Sequence, residues 1–147
     1  VEYAQVGLST FIAAADSLRV AWHVFSDGDL EGLKAAKIVR NALKGRSEVE
    51  HLTLLPNGEP MEPYLCRNGF IDVYELHANE QKRRDCITVS KEDDAYPAQL
   101  YKCLPSNGKP SAAHAVVAKM KKDGAAVIPE AITNCLMTAM ALAGGKQ

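Results

Sequence analysis

The stretch from Val20 to Gly32 constrains this chain more than any other. Val20-Ala21-Trp22-His23-Val24-Phe25 is a near-continuous apolar run, the pattern of a strand buried on both sides. It ends in Ser26-Asp27-Gly28-Asp29, and Leu30-Glu31-Gly32 leads at once into a long amphipathic segment. A buried strand that turns through two acids into a helix is the start of an α/β unit. Asp27 and Asp29 are separated by one residue, so an extended backbone points them the same way. Carboxylates that face each other repel unless a cation lies between them. A hard divalent ion held through oxygen, such as Mg²⁺ or Mn²⁺, answers that repulsion and makes phosphodiester chemistry the first function to consider.

The surrounding pattern predicts the rest of the unit. Val1 to Gly7 reads as a short strand, and Ser9 as the N-cap of a helix through Leu18, with Phe11, Ile12, Ala15 and Leu18 on one face. Leu30 to Leu43 reads as a helix whose apolar side holds Leu33, Ala36, Ile38, Val39 and Leu43, closed by Lys44-Gly45-Arg46. Glu48 to Leu55 alternates like a further strand, and Pro56-Asn57-Gly58 is a turn. The order predicts a small parallel sheet flanked by helices, with ligands bound outside the carboxyl ends of the strands. Beyond it the chain reads as mostly helical. Helices are expected over Glu62–Arg67, Phe70–Asn79, Asp94–Leu104 with a break at Pro97, Ser111–Lys122, and from Pro129 to Ala143. Glu80–Lys91 carries only a weak pattern, and Ser106 to Pro110 reads as a loop. The expected partition is 1–65 and 66–147.

Composition narrows the class. The 147 residues are 47% hydrophobic and 24% charged, as in a globular domain with one sizeable core. The net charge of −1 gives no global basic field, so any DNA contact must come from a local patch or from elsewhere. No apolar run approaches the roughly 20 residues of a membrane span. Cys66, Cys86, Cys103 and Cys135 form no C-x-x-C pair and read as reduced thiols of a cytoplasmic protein. The opening Val1-Glu2-Tyr3 reads as the start of an excised piece of a longer chain.

Each chemical signal has a structural alternative. Asp27 could cap the following helix, with Gly28 in the turn and Asp29 solvated. Gly32 favours the functional reading, because a glycine at a helix start lets backbone or phosphate approach closely. An EF-hand fits poorly, since its further oxygen ligands do not follow in register. Glu62 could supply another carboxylate at the same end of the sheet, or could merely complement a helix dipole. Glu59 is a weaker candidate for that place. Lys109 lies in a glycine-containing loop before a helix, where it could neutralise a phosphate or be plainly solvated. Ser26 could hydrogen-bond a metal-bound water or phosphate. Lys82-Arg83-Arg84 reads as a solvated face. His23 reads as a satisfied core residue, and His51, His77 and His114 lack ligand spacing.

Several segments, in order, resemble the C-terminal part of the OLD family (overcoming lysogenisation defect) of ATP-dependent endonucleases, which carries a Toprim domain. They are Val6-Gly7 followed by Phe11-Ile12, then the D-x-D-x-x-G element from Asp27 to Gly32, then Met61-Glu62-Pro63-Tyr64-Leu65. Gly108-Lys109-Pro110 with Ala112-Ala113, and Val127-Ile128-Pro129 before the last helix, complete the set. The D-x-D-x-x-G element is shared with primases and topoisomerases, and the later segments point to OLD nucleases. The resemblance implies a Toprim-like α/β fold and two-metal cleavage of DNA. It implies Asp27, Asp29 and Glu62 as metal ligands and Lys109 as a transition-state stabiliser. Gly28, Gly32 and Ser26 would serve the phosphate or the metal-bound water.

The chain departs from that pattern in one respect. Toprim domains carry a glutamate on a strand ahead of Val1 to Gly7, and Glu2 does not stand in its place. No G-x-x-x-x-G-K-[ST] occurs either, so ATP would act only through an ATPase half outside this sequence. The implied partners are DNA, that missing half and a second copy of the intact protein. The fragment alone is expected to bind metal weakly and to cleave poorly or not at all. Two other classes stand beside this reading. One is a non-catalytic fragment or interaction scaffold. The other is a DHH-type phosphoesterase, disfavoured because its histidine-bearing motif is missing.

Overall fold

A computed structural model describes residues 7–144. The expected strand over Val1 to Gly7, with Glu2, lies outside them except for Gly7. The chain is α/β and mostly helical, and it divides into two compact units: Val1–Glu59 with Glu130–Gln147, and Pro60–Pro129. The last helix therefore belongs with the first unit rather than with the residues that precede it.

The first unit is built on a βαβ segment. Helix α1 (Leu8–Ser17) precedes strand β1 (Val24–Ser26), helix α2 (Leu30–Ala42) and strand β2 (Leu52–Leu54). The two strands pair in parallel, Val24 opposite Leu52 and Ser26 opposite Leu54. Leu8, Ile12, Val24, Ala35, Ala36, Val39 and Leu52 form the core, with Trp22, Leu43 and Leu54 packed against it. Helix α8 (Glu130–Gly144) packs on β2 and leaves Leu136, Met137 and Met140 exposed.

Several expectations need correction. Ser9 does not cap α1. Gly7 holds that place with φ +89°, and the helix begins at Leu8, whose side chain the core takes up. Leu18 is 74% exposed, because α1 has ended before it. The strand expected from Val20 is only three residues long. Val20 is 56% exposed, and the chain from Val20 to His23 is irregular. The second strand is equally short, since Glu48–Glu50 form a 3₁₀ turn whose Glu48 pairs with Arg40 of α2. On α2 the buried face is Gly32, Ala35, Ala36 and Val39, whereas Leu33 and Ile38 are exposed. Small residues face inward there because the helix lies close to the strands.

The second unit is helical. It comprises α3 (Met61–Leu65), α4 (Ile71–His77), α5 (Glu80–Cys86), α6 (Tyr96–Lys102) and α7 (Gly108–Asp123). Its buried residues include Tyr64, Phe70, Tyr74, Leu100, Cys103 and Val116. Pro97 does not break α6 but sits in its first turn, where a missing N–H costs nothing. The loop expected to Pro110 ends earlier, so Lys109 and Pro110 lie in the first turn of α7. Asn79 caps α5, accepting from Lys82 N at 2.9 Å, which is why that charged segment is helical after all.

Candidate active site

The acidic turn lies at the carboxyl end of β1. Ser26 is the last strand residue, and its carbonyl accepts from Leu55 N at 3.0 Å, which carries the parallel pairing past the strand end. Gly28 then docks on the chain after β2. Its N–H donates to Glu59 O at 2.9 Å, and a Cβ there would stand 2.5 Å from Leu55 O. Gly32 is under tighter constraint still. A Cβ on it would lie 1.7 Å from the Asp27 carbonyl oxygen, so the first turn of α2 rests directly on the Asp27 backbone. Both glycines are demanded by backbone contact, and together they hold Asp27 and Asp29 at the entrance to the helix.

The capping expectation is corrected in its residue. Asp29, not Asp27, is the N-cap of α2: its backbone is extended and its Oδ1 accepts from Gly32 N at 3.0 Å. One oxygen of Asp29 is thereby committed to the helix. Both acids are partly exposed, while Ser26 is 5% exposed. Glu59, whose carbonyl holds Gly28, is itself buried at 9% exposure. Among the described residues no group of three or more His, Cys, Asp or Glu side chains forms a metal cage. The donor chemistry of the turn nonetheless fits Mg²⁺ or Mn²⁺. Such ions are commonly held by one or two carboxylates, with water and phosphate oxygens completing the shell.

The structure brings Glu62 and Lys109 together in the second unit. Glu62 lies in the first turn of α3 and Lys109 in that of α7, and their charged atoms are 3.6 Å apart. Lys109 also donates to Tyr101 Oη at 2.9 Å, and its Nζ lies 4.2 Å from the centre of that ring. The hydrogen bond to Tyr101, aided by the Glu62 charge and opposed by partial burial, pushes the Lys109 ammonium above its ordinary range. Burial, with the Glu62 charge added, likewise pushes the Tyr74 phenol well up. Sequence reasoning did not find Tyr101 or Tyr74. Tyr74 lies on α4 and Tyr101 on α6, separate helices from those of Glu62 and Lys109, so no period within one helix pointed to them.

Three of the four histidines, His23, His51 and His77, are engaged in structural contacts. His23 Nδ1 is 2.9 Å from Glu50 O and its Nε2 2.8 Å from Thr53 Oγ1. His51 meets the Trp22 ring edge-on at 4.4 Å, and His77 Nδ1 is 2.8 Å from Val73 O. Lys82 and Arg84 are exposed, and Arg83 lies 4.0 Å from Glu75. Cys66 and Cys103 are buried and form no disulfide. No helix among the described residues is long and apolar enough to cross a membrane. No known protein family, curated protein or solved structure matches the chain.

Proposed function

We propose that this chain is the nuclease region of an OLD-type ATPase–nuclease, a Toprim-like domain that hydrolyses DNA phosphodiesters with divalent metal. The observation that carries the reading is the acidic turn: two carboxylates at the carboxyl end of a parallel strand, on a backbone that two glycines lock against Leu55, Glu59 and Asp27. Ligand chemistry in parallel α/β folds concentrates at such ends. Asp27 and Asp29 hold Mg²⁺ or Mn²⁺ through oxygen, Asp29 with the oxygen that does not cap α2. Bound there, the metal supplies charge neutralisation and an activated water. Within the second unit, Glu62 is the carboxylate that stands beside Lys109. Lys109 stays protonated and offers positive charge to a phosphodiester oxygen. Ser26 is the nearest hydroxyl in sequence to the turn and serves water or phosphate. ATP enters only through a partner half outside these residues.

A second reading has its own observation. Asp29 is engaged in a helix cap and Glu62 in an ion pair, which is what a non-catalytic scaffold would show. Calorimetric titration of Mn²⁺ into the chain and into Asp27→Ala separates the two, with supercoiled-plasmid nicking followed in parallel. Metal binding that is lost in Asp27→Ala is the expected result. Absence of binding, or binding that survives the substitution, overturns the nuclease reading and leaves the scaffold.

A further inference from the structure

Lys109 is a long, flexible side chain, and a lysine that acts on a phosphate gains from being held in one place. The second unit holds it from its root. Gly108 starts α7 against the Pro105 ring, where a Cβ would lie 2.7 Å from Cδ and 3.3 Å from His77 O. Gly108 N donates to Pro105 O at 2.8 Å, so the turn from α6 into α7 is tight. Tyr101 lies in the last turn of α6, just ahead of that turn. The ammonium group is thereby met by a phenol oxygen at 2.9 Å and by a carboxylate at 3.6 Å. Its distance of 4.2 Å to the ring centre is also within cation–π range. An ammonium has three N–H donors. Two protein partners leave one for a ligand, and the side chain is 43% exposed to receive it.

We propose that Tyr101 is the positioning residue for Lys109, its hydroxyl and ring holding the ammonium beside Glu62 so that the remaining N–H faces a phosphodiester oxygen of DNA. The proposal rests on the nuclease reading above and deepens it. Tyr101 itself touches no substrate. The groups whose charge or hydrogen bonds act on Lys109 are Glu62 from α3 and Tyr101 from α6. On α4, packed against α7, Asp72 pairs instead with Lys119, further along the helix.

The test uses the whole chain with isotope-labelled lysine side chains, Lys109→Met serving to assign the Lys109 signal. In Tyr101→Phe, which keeps the ring but not the hydroxyl, the Lys109 ammonium signal is expected to shift and to report a more mobile side chain, because the 2.9 Å hydrogen bond is gone. Duplex DNA binding is measured over a salt series on the same proteins. Lys109→Met should weaken binding about tenfold and reduce the salt slope by about one, as loss of a phosphate contact does. Tyr101→Phe should weaken it about threefold with the slope unchanged, and should add nothing in the Lys109→Met background, because the two act as a unit. An unchanged Lys109 ammonium signal in Tyr101→Phe, or an additive effect in the double variant, overturns the positioning role while leaving Lys109 its contact. Unchanged DNA affinity in Lys109→Met removes the contact itself, and the proposal falls with it. Metal binding at Asp27 is read separately, so failure of the acidic turn is not mistaken for failure of Tyr101.

Discussion

At the scale of single residues, the acidic turn separates two roles that sequence patterns leave entangled. Asp29 caps α2 and is proposed above as a metal ligand, and substitution can split these. Asparagine is as good an N-cap as aspartate, so Asp29→Asn should keep the melting temperature and lose metal binding. Asp29→Ala should lose both, at a cost of about 1 kcal/mol in stability by denaturant titration. If the two variants melt alike and both still bind Mn²⁺, the acid has neither role. Gly32 presents the opposite case, a residue whose importance is entirely steric. A methyl group there has the Asp27 carbonyl 1.7 Å away, and backbone cannot swing aside as a flexible side chain could. Gly32→Ala should therefore cost about 3 kcal/mol or more. A melting curve that matches the parent would refute the contact. The glycine was legible in the sequence because its spacing from Asp27 is local. Its reason was not, since a pattern shows the residue type and not the atom it avoids.

At the scale of elements, the first unit is tied by a polar knot that sequence spacing did not reveal. Arg46, beyond the end of α2, donates to both oxygens of Asp16 near the end of α1, at 2.7 and 3.0 Å. Trp22 Nε1 donates to the same carboxylate at 2.9 Å, and the guanidinium lies 4.9 Å from the Trp22 ring centre. These hydrogen bonds, led by Arg46, hold the Asp16 carboxyl down from 3.8 to about 2. The folded state thus favours the ionised form. Its contribution to stability is full above 3.8 and is lost as pH falls through about 2. Thermal melts from pH 6 to pH 2 should show the parent losing ground to Asp16→Asn across that window. Parallel curves for the two proteins would mean that the knot contributes nothing. Trp22 turns its indole to Asp16 and His51, and the run from Val20 takes up sheet geometry only at Val24.

At the scale of the whole molecule, each unit carries its own core, and the second is one continuous stretch, Pro60–Pro129. Expressed alone, it should show a helical circular dichroism spectrum and melt cooperatively. Leu100 is fully buried there, so Leu100→Ala should lower its stability by about 3 kcal/mol. A non-cooperative melt would show that this stretch depends on the first unit. Residue order alone was enough for whatever depends on near neighbours. The Asp27–Gly32 turn, the span of α2, the turn at Pro56 and the helical second half all follow from spacings of a few residues. Packing in three dimensions settled what depends on distant ones. It shortened both strands, chose Asp29 as the cap and returned α8 to β2. It also set Glu62 and Tyr101 around Lys109, a meeting of three helices that no local period encodes. Local pattern follows from backbone geometry and side-chain direction, whereas side chains far apart in sequence meet only where packing of the core leaves room for them.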